Sequence, residues 1–168
     1  MSIVGAFIIL LTLFLTSGVS ENRTQKTANL SSQLLDVNNS PVNFSDLKGK
    51  VVFVNNWASW CPPCVAEMSS IQNFKNELND KEFVFIMVSY DEDHDKAISF
   101  MKRKGFNFDF DVYFPGDKYP YATESIPATF ILDRYGKLVE KHFGMRDYSK
   151  KEIVDLMKSV AVHHQTIP

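Results

Sequence analysis

Apolar and polar positions fall along the chain in blocks that each predict one element. Val51-Val52-Phe53-Val54 is an apolar, β-branched run entered from the turn Asp46-Leu47-Lys48-Gly49-Lys50. Such a run suits a strand covered on both faces. Val65, Met68, Ile71, Phe74 and Leu78 then recur at spacings of three and four, which predicts a helix with one buried stripe. Phe83 to Ser89 (FVFIMVS) predicts a second buried strand. Ala97, Ile98, Phe100 and Met101 predict a second helix, which Lys104-Gly105 is expected to stop. Ala128–Leu132 and the stretch from Lys137 to Phe143 straddle the turn Asp133-Arg134-Tyr135-Gly136, so they are expected to pair as an antiparallel hairpin. Ile153, Leu156, Met157 and Val160 mark a closing amphipathic helix. The predicted order β-α-β-α-β-β-α mixes parallel crossovers with one hairpin, which is an α/β fold with a central mixed sheet flanked by helices.

The two ends of the chain depart from this pattern. Residues 1–20 carry no charged side chain, and Ile3 to Leu15 is apolar throughout. Small residues follow at Thr16-Ser17-Gly18-Val19-Ser20, so this stretch reads as a signal peptide or an N-terminal membrane anchor. Either reading places the rest of the protein outside the cytoplasm. Residues 21–33 are polar and aperiodic, as in a linker. One domain is expected over residues 34–162, with a tail at 163–168 and no internal repeat. A chain of 168 residues, 45% apolar, has enough material to bury a core. The net charge of −2 and the lack of a basic stripe give no support for nucleic-acid binding. Lys102-Arg103-Lys104 reads as the solvated end of a helix.

The chemistry is concentrated at Asn56-Trp57-Ala58-Ser59-Trp60-Cys61-Pro62-Pro63-Cys64, which holds both cysteines. A bridge across three residues removes little chain entropy, so it makes a poor staple. The residues alone leave three readings open: a redox couple, an inert bridge and half of a metal site. A zinc site needs about four ligands, and His94, His142, His163 and His164 show no ligand spacing. Haem attachment would need histidine where Val65 stands. The redox couple fits best, because a strand runs into the motif and a helix runs out of it. Cys61 then lies at a helix N-terminus, where unpaired N–H groups and the helix dipole favour an anion. Its thiol is expected to ionise below the free value of about 8.5. Pro62 is tolerated at the first helical position. Cys64, one turn deeper, is expected to be the less accessible sulfur, so Cys61 attacks and Cys64 resolves.

Trp57-Ala58-Ser59-Trp60-Cys61-Pro62-Pro63-Cys64, with Glu67 three residues on, resembles the active-site motif of the TlpA/ResA-like group of exported thiol–disulfide oxidoreductases. Ile126-Pro127-Ala128-Thr129-Phe130 stands where that family keeps its cis-proline loop, and the likeness spans roughly Leu34 to Val160. The resemblance implies a thioredoxin-like fold, a cis Ile126–Pro127 bond beside Cys61, and an Ile126 backbone that offers an edge to substrate. It implies that Glu67 tunes the thiols and helps move protons. Asn55 stands where thioredoxins proper keep a buried aspartate, and an amide cannot serve as a base. Trp60 is expected to shield the thiols and touch substrate, whereas Trp57 belongs to the core. Many relatives carry proline two residues after the glutamate; this chain has Ser69, which predicts a straighter active-site helix.

By resemblance the protein reduces disulfides in exported clients, apocytochrome c among them, and is recharged by a membrane-embedded thiol donor in the periplasm. No cofactor and no metal are called for, and a monomer is expected. Because the Pro62-Pro63 insert does not set a reduction potential, an oxidase or isomerase is the nearest alternative. A metal-delivering or inert binding module is more distant. Asp91, Asp93 and Asp95 alternate as in a calcium loop, but Lys96 and Lys102 stand where glycine and glutamate are needed. Asp91-Glu92-Asp93-His94-Asp95 is therefore read as a loop and helix cap. Sequons such as Asn43-Phe44-Ser45 matter only in a host that glycosylates exported proteins.

Overall fold

The structure, a computed structural model, describes residues 34–36, 38, 40–78, 81–113 and 119–162, with 110–113 described by backbone alone. The expected leader, linker and tail lie outside these residues. The elements are β1 (Leu34–Asp36), β2 (Pro41–Val42), a 3-10 turn (Phe44–Leu47), β3 (Val51–Trp57), α1 (Pro62–Leu78), β4 (Phe83–Ser89), α2 (His94–Lys104), β5 (Phe110–Tyr113), β6 (Ala128–Leu132), β7 (Leu138–Phe143) and α3 (Lys151–Val162). They build a seven-stranded sheet in the order β2-β1-β5-β4-β3-β6-β7. β3, β4 and β5 are parallel, and β6 returns antiparallel beside β3 and pairs with β7 as a hairpin. This is the mixed sheet that the hydrophobic pattern predicts.

All seven residues of β3 are buried, because the strand has sheet neighbours on both sides and a core on both faces. Alternation along the strand divides the apolar side chains. Val51, Phe53 and Trp57 join one core with Met68, Ile71 and Phe74 of α1 and with apolar residues of α2 and α3. Val52 and Val54 join the other core with Ile86, Phe130 and Leu47. The helix ends follow local chemistry. The Asp93 carboxylate caps α2 by accepting from the Asp95 N–H at 3.1 Å. Gly105 ends that helix at φ 70°, a left-handed conformation that costs glycine no Cβ clash. α1 runs without interruption through Ser69.

The structure adds three strands to the predicted order and lengthens a fourth. β1 and β2 have three and two residues, below the length at which alternation can be recognised. β5 lies where Phe108, Phe110 and Val112 alternate with polar residues, and pairing to both β4 and β1 supplies its order. β3 continues past Val54 through Asn55 and Asn56 to Trp57 because both amides are hydrogen-bonded. The predicted turn at Asp46–Lys50 begins one element earlier, in the 3-10 turn, and passes through Gly49 at φ 86°.

Phe53 lies at the centre of the larger core, with ring centroids 5.8 Å from Phe74, 5.0 Å from Phe85 and 5.2 Å from Tyr148. Phe53→Ala is expected to lower stability by about 3–5 kcal/mol. Urea denaturation of variant and wild type checks this, and a loss under about 1 kcal/mol would mean that the site collapses without a cavity.

Candidate active site

β3 ends at Trp57 and α1 begins at Pro62, so Cys61 sits immediately before the first helical residue. The Cys61 N–H donates to the Ala58 carbonyl at 3.1 Å, and the Cys61 carbonyl accepts from the Val65 N–H at 3.0 Å. The chain thus turns tightly and enters the helix at once. Cys61 and Cys64 form a disulfide with an S–S distance of 2.08 Å. The Cys64 N–H points at Cys61 Sγ from 3.3 Å. This donor belongs to the first turn of α1, where N–H groups have no carbonyl partner within the helix. It is aimed where a Cys61 thiolate would carry its charge. Cys61 retains 4% exposure and Cys64 none, so only Cys61 offers a surface to another molecule. Pro62 and Pro63 are exposed, and Trp60 stands 64% in solvent. Trp57 is in the core, with its ring centroid 5.6 Å from that of Phe100.

The Ile126–Pro127 bond is cis, and Pro127 is buried at the start of β6. Its carbonyl accepts from the Gly144 N–H at 2.8 Å, which ties the loop to the end of β7. Ile126 is half-buried against the larger core.

Glu67 projects inward from α1 and is 2% exposed. Its two oxygens accept from Asn55 Nδ2 at 2.8 Å and from the Arg146 backbone N–H at 3.0 Å. Burial pushes its carboxyl up to about 7, against a smaller opposing pull from those two donors. Asn55 also donates to Thr129 Oγ1 at 3.0 Å, and a hydrogen bond of 2.5 Å joins Thr129 Oγ1 to the Tyr148 hydroxyl. Burial, with the Glu67 charge adding to it, pushes the Tyr148 phenol well up. A continuous polar line therefore runs through the core from α1 across β3 and β6 to the segment before α3.

Several residues of the site went unread in the sequence. Asn56 faces away from Asn55 and donates to the Tyr121 carbonyl at 2.7 Å, while the Tyr119 hydroxyl donates to its oxygen. That amide pins the loop leading to Ile126 and Pro127. Two adjacent asparagines inside an otherwise apolar strand are the signal that was present. Asp91, taken with the acidic loop, instead turns inward. It is 8% exposed and accepts from Ser59 N at 2.8 Å, Ser59 Oγ at 2.6 Å and Ser89 Oγ at 2.9 Å. Only Asp93 caps the helix. Thr129, Tyr148 and the Arg146 N–H carry no local sequence signal, because long-range packing brings them to Glu67. Among the described residues, no group of three or more His, Cys, Asp or Glu is placed to hold a metal ion.

The buried Glu67 makes stability depend on pH with a definite sign. Between about 4.5 and about 7 the folded protein keeps a proton that the unfolded chain has released, so the unfolding free energy falls as pH rises through that window. At about 1.4 kcal/mol per unit, the full loss is about 3 kcal/mol. Glu67→Gln stays neutral and is expected to lack this loss. Urea midpoints at about pH 5 and pH 8 should therefore move in the variant's favour at the higher pH, and parallel changes in both proteins would contradict the assignment.

Comparison with known proteins agrees with this geometry. The Redoxin family profile matches residues 22–162. Thiol-disulfide oxidoreductase ResA of Bacillus cereus is 29% identical over 132 residues, covering 74% of this chain and 72% of that protein. A Chlorobium tepidum protein assigned as thiol:disulfide interchange protein DsbE superposes with a TM-score of 0.68 at 26% identity, over 77% of this chain and 92% of its own. One from Bacteroides thetaiotaomicron, assigned as a protein disulfide isomerase, reaches 0.62 at 28% identity, over 76% and 82%. The fold they share is thioredoxin-like. The chain belongs to the Redoxin family and, within it, to the TlpA/ResA-like thioredoxin-fold thiol–disulfide oxidoreductases.

Proposed function

We propose that the protein reduces disulfides of exported client proteins through the Cys61–Cys64 couple. The observation that carries thiol–disulfide exchange led by Cys61 is the Cys64 N–H directed at the one sulfur of the pair with any exposure. Cys61 thiolate attacks a client disulfide, forming a Cys61–client mixed disulfide and releasing one client thiolate. Cys64 thiolate then attacks Cys61 Sγ, releases the second client thiolate and leaves the intramolecular disulfide. Two electrons have passed to the client, and the bridged form in the structure is the spent state. A membrane-embedded thiol donor returns two electrons to it. Apocytochrome c is the client class suggested by the ResA likeness.

Glu67 is the proton reservoir in this reading. A carboxyl held near 7 exchanges its proton at neutral pH, whereas the Asn55 amide only orients it. Trp60, Pro62 and Pro63 form the exposed approach to Cys61, and Ile126 with Pro127 form the opposite side, where an extended client segment pairs with backbone. The enzyme works in the periplasm, with residues 1–20 as cleaved signal or retained anchor and residues 34–162 as the working domain. Among the described residues no helix is long and apolar enough to cross a membrane.

The decisive measurement is the reduction potential of the couple with an insulin-reduction assay. A value towards the thioredoxin end, near about −270 mV, is expected, and one near the DsbA end at about −120 mV would reassign the protein as an oxidase. Cys61→Ser is expected to abolish turnover. Cys64→Ser is expected to trap clients on Cys61 as mixed disulfides that dithiothreitol releases, and their absence would remove the assigned roles. Glu67→Gln is expected to slow turnover about 10²-fold or more and to erase a pH–rate inflection near 7. An unchanged profile would rule out proton transfer by Glu67.

A further inference from the structure

Asp91 is a buried carboxylate that the reaction above does not use, yet it touches the active-site turn. Ser59 lies two residues before Cys61, a separation of at most ~7 Å of chain. Both the backbone N–H and the hydroxyl of Ser59 donate to Asp91, at 2.8 and 2.6 Å, and Ser89 Oγ donates from the other side at 2.9 Å. Asp91 follows β4, whose last residues run parallel to the end of β3, and the Tyr90 N–H donates to the Trp57 carbonyl at 2.8 Å. The carboxylate is therefore fixed to the sheet, and the turn carrying Trp60 and Cys61 is fixed to the carboxylate.

We propose that Asp91 is a positioning residue which clamps the Ser59–Trp60 turn and whose charge biases the Cys61–Cys64 couple towards its disulfide form, keeping the enzyme a reductant. The inference deepens the reductase reading and rests on it. The reason is electrostatic. A helix N-terminus favours the Cys61 thiolate and so stabilises the dithiol, which makes a couple oxidising. A buried negative charge close to the same sulfur opposes that effect, and burial limits its screening by salt. The other charges near this turn differ in kind. Glu92, Asp93, Asp95, Lys96 and Arg103 are exposed, and Glu67 is held within the core by Asn55. His94 begins α2, and its burial holds the imidazole below its usual range.

Asp91→Asn separates charge from shape, because the amide keeps an oxygen for the Ser59 N–H and its NH2 can donate to a serine hydroxyl. Two readouts are taken: the equilibrium with glutathione, in which the protein disulfide and two glutathione thiols exchange with the dithiol and glutathione disulfide, and the pH midpoint of Cys61 alkylation. With the charge near the sulfur removed, the variant is expected to favour the dithiol roughly three- to thirtyfold over wild type, tenfold being about 30 mV for this two-electron couple. Its alkylation midpoint is expected to fall. Asp93→Asn removes an equal but exposed charge, leaves an equally good cap, and is expected to shift the equilibrium less than about twofold. Ser59→Ala keeps the charge and loosens the turn, so it is expected to slow insulin reduction while leaving the equilibrium nearly unchanged. Unchanged values for Asp91→Asn, or an equal shift in Asp93→Asn, would overturn the proposal. An oxidising wild type with the Asp91→Asn shift intact would instead overturn the reductase reading alone. Should Asp91→Asn melt early, the same titration below its melting temperature still reads the shift.

Discussion

Everything at the site depends on how abruptly a buried strand becomes a helix. Trp57 ends a strand with neighbours on both sides, and Pro62 starts a helix whose inner face is packed into the larger core. Ala58, Ser59, Trp60 and Cys61 must reverse the chain between two elements that cannot move apart without opening that core. Proline supplies the helical φ in advance and needs no hydrogen bond at its nitrogen. Cys61 is thereby left at the point where helix donors are unpaired, and one of them, from Cys64, is aimed at its sulfur. The site is a by-product of a packing constraint: the sulfur lies beside an unpaired helix donor because the chain has nowhere else to go.

The polar groups around this junction would be a liability in a purely structural protein. An unsatisfied buried amide or hydroxyl costs about 1–3 kcal/mol, and a buried carboxylate more. Here most of the cost is offset by assigning partners across the sheet, while Asn55 Oδ1 and Trp57 Nε1 are buried without one. Asn55 and Asn56 point to opposite faces of β3, one holding Glu67 and Thr129 and the other holding the loop before Pro127. The strand that leads to Cys61 thus also anchors the Glu67 carboxyl and the loop before Pro127. Losing either amide would disturb the site at a distance, which separates these residues from the apolar ones between which they sit.

How much of this was legible followed from the range of the interactions involved. The long buried strands, the three helices, the hairpin and the cysteine pair were visible because each is set by local periodicity, turn residues or spacing. Glu67 and Pro127 were found only through resemblance, since nothing local distinguishes a glutamate in a first turn from a solvated one. β5 was missed although Phe108, Phe110 and Val112 alternate, because Asp109 and Asp111 have poor strand propensity and pairing with β1 and β4 supplies the rest of its order. The inward turn of Asp91 out of this loop went unread for a related reason. Its neighbours are exposed acids, and only the fold brings Ser59 and Ser89 onto its oxygens. Thr129 and Tyr148 belong to β6 and to the approach to α3, far in sequence from the glutamate they support.

Two buried carboxyls suit different tasks because their surroundings differ. Glu67 has two donors for its two oxygens, both within a dry core, so desolvation dominates and its proton is retained towards neutrality. Asp91 collects three donors just past the end of the central strand β4, an arrangement that suits holding a loop. A group that exchanges its proton near neutral pH can take part in thiol chemistry; a group saturated with donors can only bias it. The same residue chemistry is thus divided by its surroundings into a carboxyl that keeps its proton towards neutrality and one that ties a turn to the sheet.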